Sequence, residues 1–278
     1  MKILITGANG MLAKAVREKF KHEELILTDV DELDITNLEK VEQFVSDCKP
    51  DVIINCAAYT AVDKAEEDLG LARKINAKGP ENLSLAANKN DCILVHISTD
   101  YVFGGDLPVE VGEYSEDDEK NPATVYGLTK LEGEEAIKQN TKKYYIFRTA
   151  WLYGDGNNFV RTMLKLGSEK EQINVVADQH GSPTYTVDLA DIILQALNKK
   201  ISYGIYHTTN LGFTTWYDFT REIFEQANIK CKVNPVTSEE FVRPAKRPKN
   251  SKMSKDKILQ AGISIPGWKD ALKRYLEV

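Results

Sequence analysis

The amino terminus combines a short apolar strand, a glycine turn and an amphipathic helix, and this combination restricts the possible folds most. The strand is predicted over 2–6, and the turn after it reads Gly7-Ala-Asn-Gly10-Met-Leu-Ala13. Gly7 can adopt a positive φ, Gly10 lets a pyrophosphate approach the helix amino terminus, and Ala13 is small enough to pack against the strand. The pattern predicts a dinucleotide-binding turn; the alternative is a tight turn that binds nothing.

A second apolar strand, predicted over 25–28, ends at Asp29. Asp29 follows Gly10 at close to the spacing of about 20 residues at which an acidic side chain bonds the adenosine ribose in dinucleotide-binding folds. Asp34 and Ile35 come next and are predicted to lie beside the adenine. The alternative for Asp29 is a carboxylate that caps a turn or a helix.

Three further apolar runs, 52–58, 92–97 and 142–147, are predicted as strands buried on both faces of a sheet. Helical segments lie between them, including 38–48 and the long segment 71–89. Strands that alternate with helices predict an α/β fold with a Rossmann-type doubly wound parallel sheet. Ligands bind such sheets outside the carboxyl ends of the strands, so Ala58 and Thr99 are predicted to share one rim with the glycine turn and Tyr126.

Tyr126 and Lys130 are four residues apart and therefore share one face of a predicted helix. A free phenol has a reference pKa of roughly 10, and an ammonium group one turn away favours the phenolate and lowers that pKa. Such a pair can give a proton to a bound oxygen or accept one from it. The spacing is common by chance, so an ordinary helix is the alternative, but the surrounding pattern favours the chemical role.

The sequence pattern changes near Gly154. Helical segments are predicted over 159–166, 187–197, 216–227 and 269–276, separated by loops rich in turn residues. We expect a dinucleotide-binding domain over 1–153, to which later segments return, and a substrate-binding lobe mainly over 154–278. The basic stretch from Arg243 to Ser251 either clamps a diphosphate, with Arg247 suited to bidentate phosphate contacts, or is a solvated loop.

Composition argues against several other classes of protein. The net charge of −6 leaves no basic excess for nucleic acid or an anionic membrane surface. The four cysteines show no C-x-x-C spacing, which argues against a zinc site or a disulfide framework. The four histidines show no ligand spacing, and His96 is predicted to be a core residue. Without a signal peptide or a long apolar stretch, a soluble cytoplasmic protein is expected.

These motifs, in this order, resemble those of the extended short-chain dehydrogenase/reductase family. The resemblance runs over nearly the whole chain, and within the family it is closest to the branch that reduces dTDP-4-dehydro-L-rhamnose. The specific motifs are Asn55-Cys-Ala-Ala-Tyr-Thr-Ala-Val-Asp-Lys-Ala-Glu66, Ser98-Thr-Asp-Tyr-Val-Phe-Gly104, Val125-Tyr-Gly-Leu-Thr-Lys-Leu-Glu-Gly133, Phe147-Arg-Thr-Ala-Trp151, Gly156-Asn-Asn-Phe159, Asp178-Gln179, and Arg247-Pro with Asn250-Ser251.

The resemblance implies a role for each matching residue. Tyr126 would donate a proton, Thr99 would bond the substrate carbonyl, and Lys130 would hold the nicotinamide ribose and tune Tyr126. Besides Tyr126 and Lys130, the residues predicted at the NADPH or NADH cofactor are Gly7, Asn9, Gly10, Met11, Leu12, Asp29, Asp34, Ile35, Ala57, Ala58, Tyr59 and Thr60. The residues predicted at the substrate are Thr99, Asp100, Tyr126, Trp151 and Arg247.

In some members of the family, a glutamate on the first helix contributes to a magnesium site between subunits. The matching residue here is Ala15, which has no carboxylate. We therefore predict neither that metal nor that mode of dimerisation, and a homodimer is kept as the candidate oligomer.

The predicted function is NAD(P)H-dependent reduction of the C4 carbonyl of dTDP-4-dehydro-L-rhamnose to dTDP-L-rhamnose. The alternatives are another nucleotide-sugar reductase or epimerase of the family and a non-catalytic dinucleotide-binding subunit. Related 4,6-dehydratases typically carry Asp-Glu after the threonine that ends the fourth strand, where this chain has Asp100-Tyr101. A phenol is a weaker base than a carboxylate, so elimination is not expected.

Overall fold

A computed structural model of the chain describes residues 1–110 and 112–277, so Val278, the end of the predicted lobe, lies outside the described residues. At its centre is a sheet built from β1 (Lys2–Thr6), β2 (Glu24–Thr28), β3 (Val52–Asn55), β4 (Ile93–Thr99), β5 (Tyr144–Thr149) and β10 (Gly204–His207). All six strands are parallel, in the order β10-β5-β4-β3-β1-β2. The predicted α/β fold with a parallel sheet is confirmed.

The order of the strands reverses at β1. The chain places β2 on one side of β1 and then returns to place β3 on the other side. The carboxyl ends meet at this point, with Thr6 opposite Thr28 in β2 and opposite Asn55 in β3. Such a switch point leaves a crevice above the sheet, where open α/β folds bind their ligands.

Helices cover both faces of the sheet. They are α1 (Met11–Lys19), α2 (Leu38–Cys48), α3 (Val62–Ala65), α4 (Leu69–Arg73), α5 (Gly79–Lys89), α6 (Val125–Asn140), α7 (Phe159–Glu169), α8 (Thr186–Lys199), α9 (Trp216–Gln226), α10 (Asp256–Gln260) and α11 (Trp268–Leu276). On one face α1 and α8 bury Val16 and Leu189 against Ile3, while on the other α2 and α5 bury Val41 and Leu83 against Leu4. Burial on both faces explains why the strands read as unbroken apolar runs.

The predicted helix over 71–89 is interrupted. A single π-helical turn (Lys74–Lys78) joins α4 to α5. Within it, the buried Asn76 side chain accepts a hydrogen bond from the Tyr59 backbone N–H at 2.8 Å and donates one to the Tyr59 carbonyl at 3.1 Å. The turn therefore anchors the loop after β3, and such bulges often occur at functional sites.

After residue 153 the chain forms a second apolar core. Tyr153, Phe219 and Trp268 belong to this cluster. Three two-stranded sheets surround it, pairing β6 (Leu152–Tyr153) with β9 (Thr184–Tyr185), β7 (Gln172–Val176) with β12 (Lys232–Val236), and β8 (His180–Gly181) with β11 (Thr214–Thr215). Two later elements return to the central unit, because β10 pairs with β5 and α8 packs in the same core as α1.

In the described part of the chain, none of the helices combines the length and the apolar character needed to span a membrane.

Candidate active site

The glycine turn adopts the tight geometry that its sequence predicts. Gly7 has φ +65°, and a Cβ at this position would lie 2.7 Å from the backbone nitrogen of Ala57, so a side chain is excluded. The Gly10 N–H donates to the Gly7 carbonyl at 2.9 Å. Gly10 then caps α1 without any side-chain hydrogen bond. The first N–H groups of α1 are thus left without a side-chain acceptor, as an anion-binding helix terminus requires.

Asp29 lies beside this turn. One carboxylate oxygen accepts the Asn9 N–H at 3.0 Å, and the other accepts the Val30 N–H at 2.8 Å. These bonds match the predicted alternative of a turn-capping carboxylate, yet each oxygen retains a lone pair that could accept a ribose hydroxyl. The two interpretations are therefore compatible.

Asp34 and Ile35 are placed differently from each other. Asp34 accepts hydrogen bonds from the Thr36 N–H and hydroxyl at 2.9 and 2.7 Å, and these bonds lower the pKa of its carboxyl group. The Ile35 side chain is buried in the core, where it packs against Gly79. Neither residue lines the cavity described next.

A cavity of about 480 Å³ opens above the carboxyl ends of the strands. Its walls include these residues predicted for cofactor, substrate or catalysis: Gly10, Met11, Leu12, Ala57, Ala58, Thr60, Thr99, Asp100, Tyr126, Lys130 and Trp151. The predicted residues Gly7, Asn9, Asp29, Asp34, Ile35, Tyr59 and Arg247 are not part of this wall. The wall residues to which our sequence prediction gave no cofactor, substrate or catalytic role are Asn55, Cys56, Val62, Ile97, Ser98, Tyr101, Thr149, Ala150 and Leu152. Several of these residues end or directly follow a predicted strand, and that position in the sequence could have identified them as site residues.

Helix α6 brings Tyr126 to this cavity. The helix begins after Thr124, whose hydroxyl accepts the Gly127 N–H at 3.0 Å, while the Glu66 carboxylate accepts the Val125 N–H at 3.0 Å. A Cβ on Gly127 would lie 2.1 Å from the Tyr101 carbonyl oxygen. Glycine therefore lets α6 press against the 3₁₀ turn (Asp100–Val102) that follows β4, a requirement that sequence reasoning missed.

Burial controls the acidity of Tyr126. It raises the pKa of the phenol to about 12, while a hydrogen bond with Thr99 acts in the opposite direction. The predicted lowering of this pKa is not found, because desolvation of the phenolate raises it. The hydrogen bonds of the Lys130 side chain point away from Tyr126. Its Nζ donates to the Ile97 carbonyl at 2.5 Å and lies 3.1 Å from His96 Nε2. Burial lowers the pKa of Lys130 to about 8.

Thr99 and Asp100 form the opposite side of the centre. The Thr99 hydroxyl donates to Asp100 Oδ1 at 2.9 Å, and the Ser251 hydroxyl donates to Asp100 Oδ2 at 2.5 Å. Burial raises the pKa of Asp100 to about 6, with both hydroxyl groups opposing the shift. Ser251 is distant in sequence, so the carboxyl-terminal part of the chain helps to hold the end of β4.

A buried ion pair lies beneath this centre. Arg148 on β5 and Glu134 on α6 are both fully buried, and their closest N–O distance is 2.7 Å. Ser98, the residue before Thr99, donates its hydroxyl to the same carboxylate at 2.5 Å. A buried pair of this kind is strongly destabilised if one partner is removed, so it holds β4, β5 and α6 in fixed positions.

A second cavity of about 400 Å³ adjoins the first and shares Asp100, Tyr101 and Trp151 with it. Its wall contains the aromatic pair of Trp151 and Trp216, stacked with ring centroids 3.7 Å apart. Trp151 has a positive φ of 50°, which is unusual for a non-glycine residue and typical of strained functional positions. Gly181 leaves room for the indole ring, because a Cβ at this position would lie 2.9 Å from Trp151 Cε2.

Two arginines, Arg243 and Arg247, also line this second cavity. Arg247 donates to Asp63 on α3 at 2.8 Å, whereas its other terminal nitrogen, NH1, is buried without a hydrogen-bond partner among the described residues. An unpaired buried donor of this kind is suited to an anionic ligand group. Arg247, predicted at the substrate, thus lies in the wall of the second cavity and not of the first.

Among the described residues, no group of three or more His, Cys, Asp or Glu side chains is arranged to hold a metal ion. Ala15 lies on α1, away from the two cavities described above.

Comparison with known proteins gives consistent matches. The profile of the family described as RmlD substrate binding domain matches residues 1–278. The dTDP-4-dehydrorhamnose reductase of Aggregatibacter actinomycetemcomitans is 42% identical over 98% of this chain and 97% of that protein. A crystal structure of a dTDP-4-dehydrorhamnose reductase from Clostridium acetobutylicum matches with a TM-score of 0.95 and 51% identity, covering 100% of this chain and 99% of that one. A Bacillus anthracis dTDP-4-dehydrorhamnose reductase solved in complex with NADP matches with a TM-score of 0.95 and 43% identity, with the same coverage.

Proposed function

The chain belongs to the RmlD substrate binding domain family, and from that premise we propose that it reduces the C4 carbonyl of dTDP-4-dehydro-L-rhamnose to give dTDP-L-rhamnose. It is an oxidoreductase that uses a nicotinamide dinucleotide, NADPH or NADH. The observation that carries the proposal is the meeting of Thr99, Tyr126 and Lys130 in a cavity that also contains the glycine turn. The resemblance drawn from the sequence motifs is confirmed by the family match.

The residues around the first cavity fit a dinucleotide. Gly7 and the uncapped start of α1 allow a pyrophosphate to approach the backbone, and the small side chains of Ala57 and Ala58 leave room just after β3. Asp29 would accept a ribose hydroxyl at the far end. When bound, the cofactor supplies the hydride.

Tyr126 supplies the proton. Reduction adds a hydride to carbon C4 and a proton to its oxygen, so the phenol O–H bond breaks as the alcohol O–H bond forms. Burial keeps the phenol protonated at neutral pH, since its pKa is about 12. The Thr99 hydroxyl orients the carbonyl by turning its O–H from Asp100 to the carbonyl oxygen, and the ammonium form of Lys130 stabilises the phenolate that remains.

The second cavity is proposed to hold the sugar nucleotide. The stacked Trp151 and Trp216 offer a flat apolar wall for a ring, and the free donor of Arg247 suits a diphosphate oxygen. We assign dinucleotide binding to the domain formed by residues 1–153 together with the returning strand β10 and helix α8. Substrate binding is assigned mainly to the remainder of residues 154–278. A homodimer and a cytoplasmic location stay predictions, which light scattering and cell fractionation can test.

The geometry disfavours a 4,6-dehydratase. That reaction needs a base to remove a proton at C5, and Tyr101 stands where related dehydratases carry a glutamate. Burial raises the pKa of Tyr101 strongly, with Arg247 opposing the shift. A phenol that resists ionisation cannot act as this base.

The test is an assay of NADPH and NADH oxidation with a panel of 4-ketosugar nucleotides. We expect dTDP-4-dehydro-L-rhamnose to be reduced most efficiently. In parallel, dTDP-glucose is supplied with NAD⁺. Formation of a 4-keto-6-deoxy product from dTDP-glucose, without reduction of the ketosugar, would overturn the proposal, and cofactor binding without any turnover would support a non-catalytic subunit.

A further inference from the structure

A chain of buried hydrogen bonds runs beneath the active site from β1 to α6. The Thr6 hydroxyl donates to Asn55 Oδ1 at 2.7 Å, Asn55 Nδ2 lies 3.0 Å from His96 Nδ1, and His96 Nε2 lies 3.1 Å from Lys130 Nζ. All four side chains are buried, with exposures of 2% or less. His96, predicted only as a core residue, is thus a direct partner of the active-site lysine.

The backbone determines which way the Asn55 amide points. The Ala57 backbone N–H donates to Asn55 Oδ1 at 3.1 Å, and a backbone N–H cannot accept a hydrogen bond. The atom that faces Ala57 is therefore the carbonyl oxygen, and the atom that faces His96 is the amide nitrogen, a donor. His96 Nδ1 must accept this bond, so it carries no proton.

The proton of a neutral imidazole then has one position left, on Nε2. The ring is neutral because burial, and next to it the charge of Lys130, lowers the pKa of His96 well below its usual value. The Nε2–H group faces Lys130 Nζ. A neutral amine has a lone pair to accept this hydrogen bond, whereas an ammonium group has none.

We propose that His96 is a positioning residue that, with its tautomer set by Asn55, favours the neutral amine of Lys130 over the ammonium form. When Lys130 gains a proton, its ammonium group and the Nε2–H group of His96 become two donors that face each other. If the ring proton moves to Nδ1 instead, it faces the Asn55 amide nitrogen, which is also a donor. Rotating Asn55 instead would leave the Ala57 N–H without its acceptor. Each of these routes costs about one buried hydrogen bond.

Other charged or titratable groups near Lys130 act differently. On α6, Tyr126 is neutral, and Glu134 favours the ammonium form but is already paired with Arg148 of β5 and bonded by Ser98. Cys56 and Asp100, which are also titratable, line the same first cavity as Lys130. Desolvation outweighs Glu134, in keeping with the pKa of about 8 for Lys130. His96 is the neighbour whose hydrogen bonding distinguishes the two forms of Lys130.

The consequence for catalysis rests on the proposed function. A lysine that titrates near the working pH can stabilise the Tyr126 phenolate as an ammonium group and can also return a proton to it. A lysine with its ordinary pKa of roughly 10.4 would stabilise the phenolate but would release its proton less readily.

The tautomer can be observed without turnover, by NMR of the ring nitrogens in the protein labelled with ¹⁵N-histidine. The chain has four histidines, and His96→Gln identifies the His96 signals. Above pH 9 we expect a proton on Nε2 and none on Nδ1, with a change of these signals as Lys130 gains a proton near pH 8. In Lys130→Met the same tautomer should persist without this step. A proton on Nδ1 above pH 9 would overturn the proposal whether or not the enzyme reduces the ketosugar.

The pH profile of kcat/KM provides the second test. Glutamine can turn its carbonyl oxygen toward Lys130, so in His96→Gln the alkaline limb should move up by about one pH unit, the effect expected of one hydrogen bond. His207→Gln is the control, since His207 is equally buried but lies outside the site. A purely structural role would lower the rate at every pH and leave the limb unmoved, which in a folded His96→Gln would overturn the proposal.

Discussion

At the residue scale, the proposed reaction depends on a phenol that keeps its proton until the carbonyl oxygen takes it. Burial holds the Tyr126 pKa at about 12. Tyr126→Phe removes only the hydroxyl, so we expect an unchanged affinity for the cofactor and a loss of turnover of about 10²–10⁴-fold, typical of a general acid. Fluorescence titration with NADPH and steady-state kinetics measure the two quantities. Turnover near the wild-type value would remove Tyr126 from this role.

Lys130 sets the expected pH dependence. Its pKa is lowered to about 8, so raising the pH through this value removes the ammonium group that stabilises the phenolate. We expect kcat/KM for reduction to be highest near pH 7 and to fall up to tenfold per pH unit above pH 8. Lys130→Met should be slower, bind the cofactor less tightly and lack this limb. A wild-type limb near pH 10.5 would instead indicate a solvated lysine.

Asp29 is expected to set the choice between the two cofactors. Its carboxylate can accept a ribose 2′-hydroxyl and repels a 2′-phosphate, so NADH should be accepted with at most a modest preference. Asp29→Asn keeps the acceptor for the Asn9 N–H and removes the charge. We expect the ratio of kcat/KM for NADPH over NADH to rise on the order of fivefold, since a partly solvated charge contributes about 1 kcal/mol. A strong wild-type preference for NADPH would mean that Asp29 does not face the ribose.

At the element scale, the contact between α6 and the 3₁₀ turn after β4 positions Tyr126 relative to Thr99. Gly127→Ala would place a methyl group 2.1 Å from the Tyr101 carbonyl oxygen, so α6 must shift. We expect turnover to fall at least tenfold and the free energy of unfolding to fall by about 1–3 kcal/mol.

Gly70→Ala in α4 is the matched control for this change. Its new Cβ would lie 3.7 Å from an Asp68 carboxylate oxygen, which is an ordinary van der Waals contact. Alanine also favours helix, so stability should stay the same or rise. Thermal unfolding and kinetics on both variants separate the effect of the clash from that of the added methyl group; equal activity in the two would show that the α6 contact does not position Tyr126.

At the scale of the whole molecule, the central sheet and the carboxyl-terminal lobe meet at shared residues. Asp100, Tyr101 and Trp151 belong to both cavities, and Ser251 from the end of the chain bonds Asp100. The proposed reaction needs no metal in this arrangement, because Thr99, Tyr126 and Lys130 provide the polar groups. We expect activity to be unchanged after dialysis against EDTA. Loss of activity that Mg²⁺ restores would require a metal site.

Patterns in the sequence were enough to predict the fold class and the rim of the sheet where the candidate site lies. Burial of strands on both faces makes their apolar runs continuous, and the helix period places Tyr126 and Lys130 on one face, so both features can be read locally. The bounds of α2, predicted at 38–48 from the helical spacing of its apolar residues, are confirmed for the same reason.

The electrostatic state of the candidate site, by contrast, depends on how distant segments pack together. Burial raises the pKa of Tyr126, whereas the local spacing to Lys130 predicted a lower one. The partnership of Lys130 with His96 and the bond from Ser251 to Asp100 join residues that are far apart in the chain. Desolvation and hydrogen bonding depend on which segments pack together, so spacing along one helix could not reveal them.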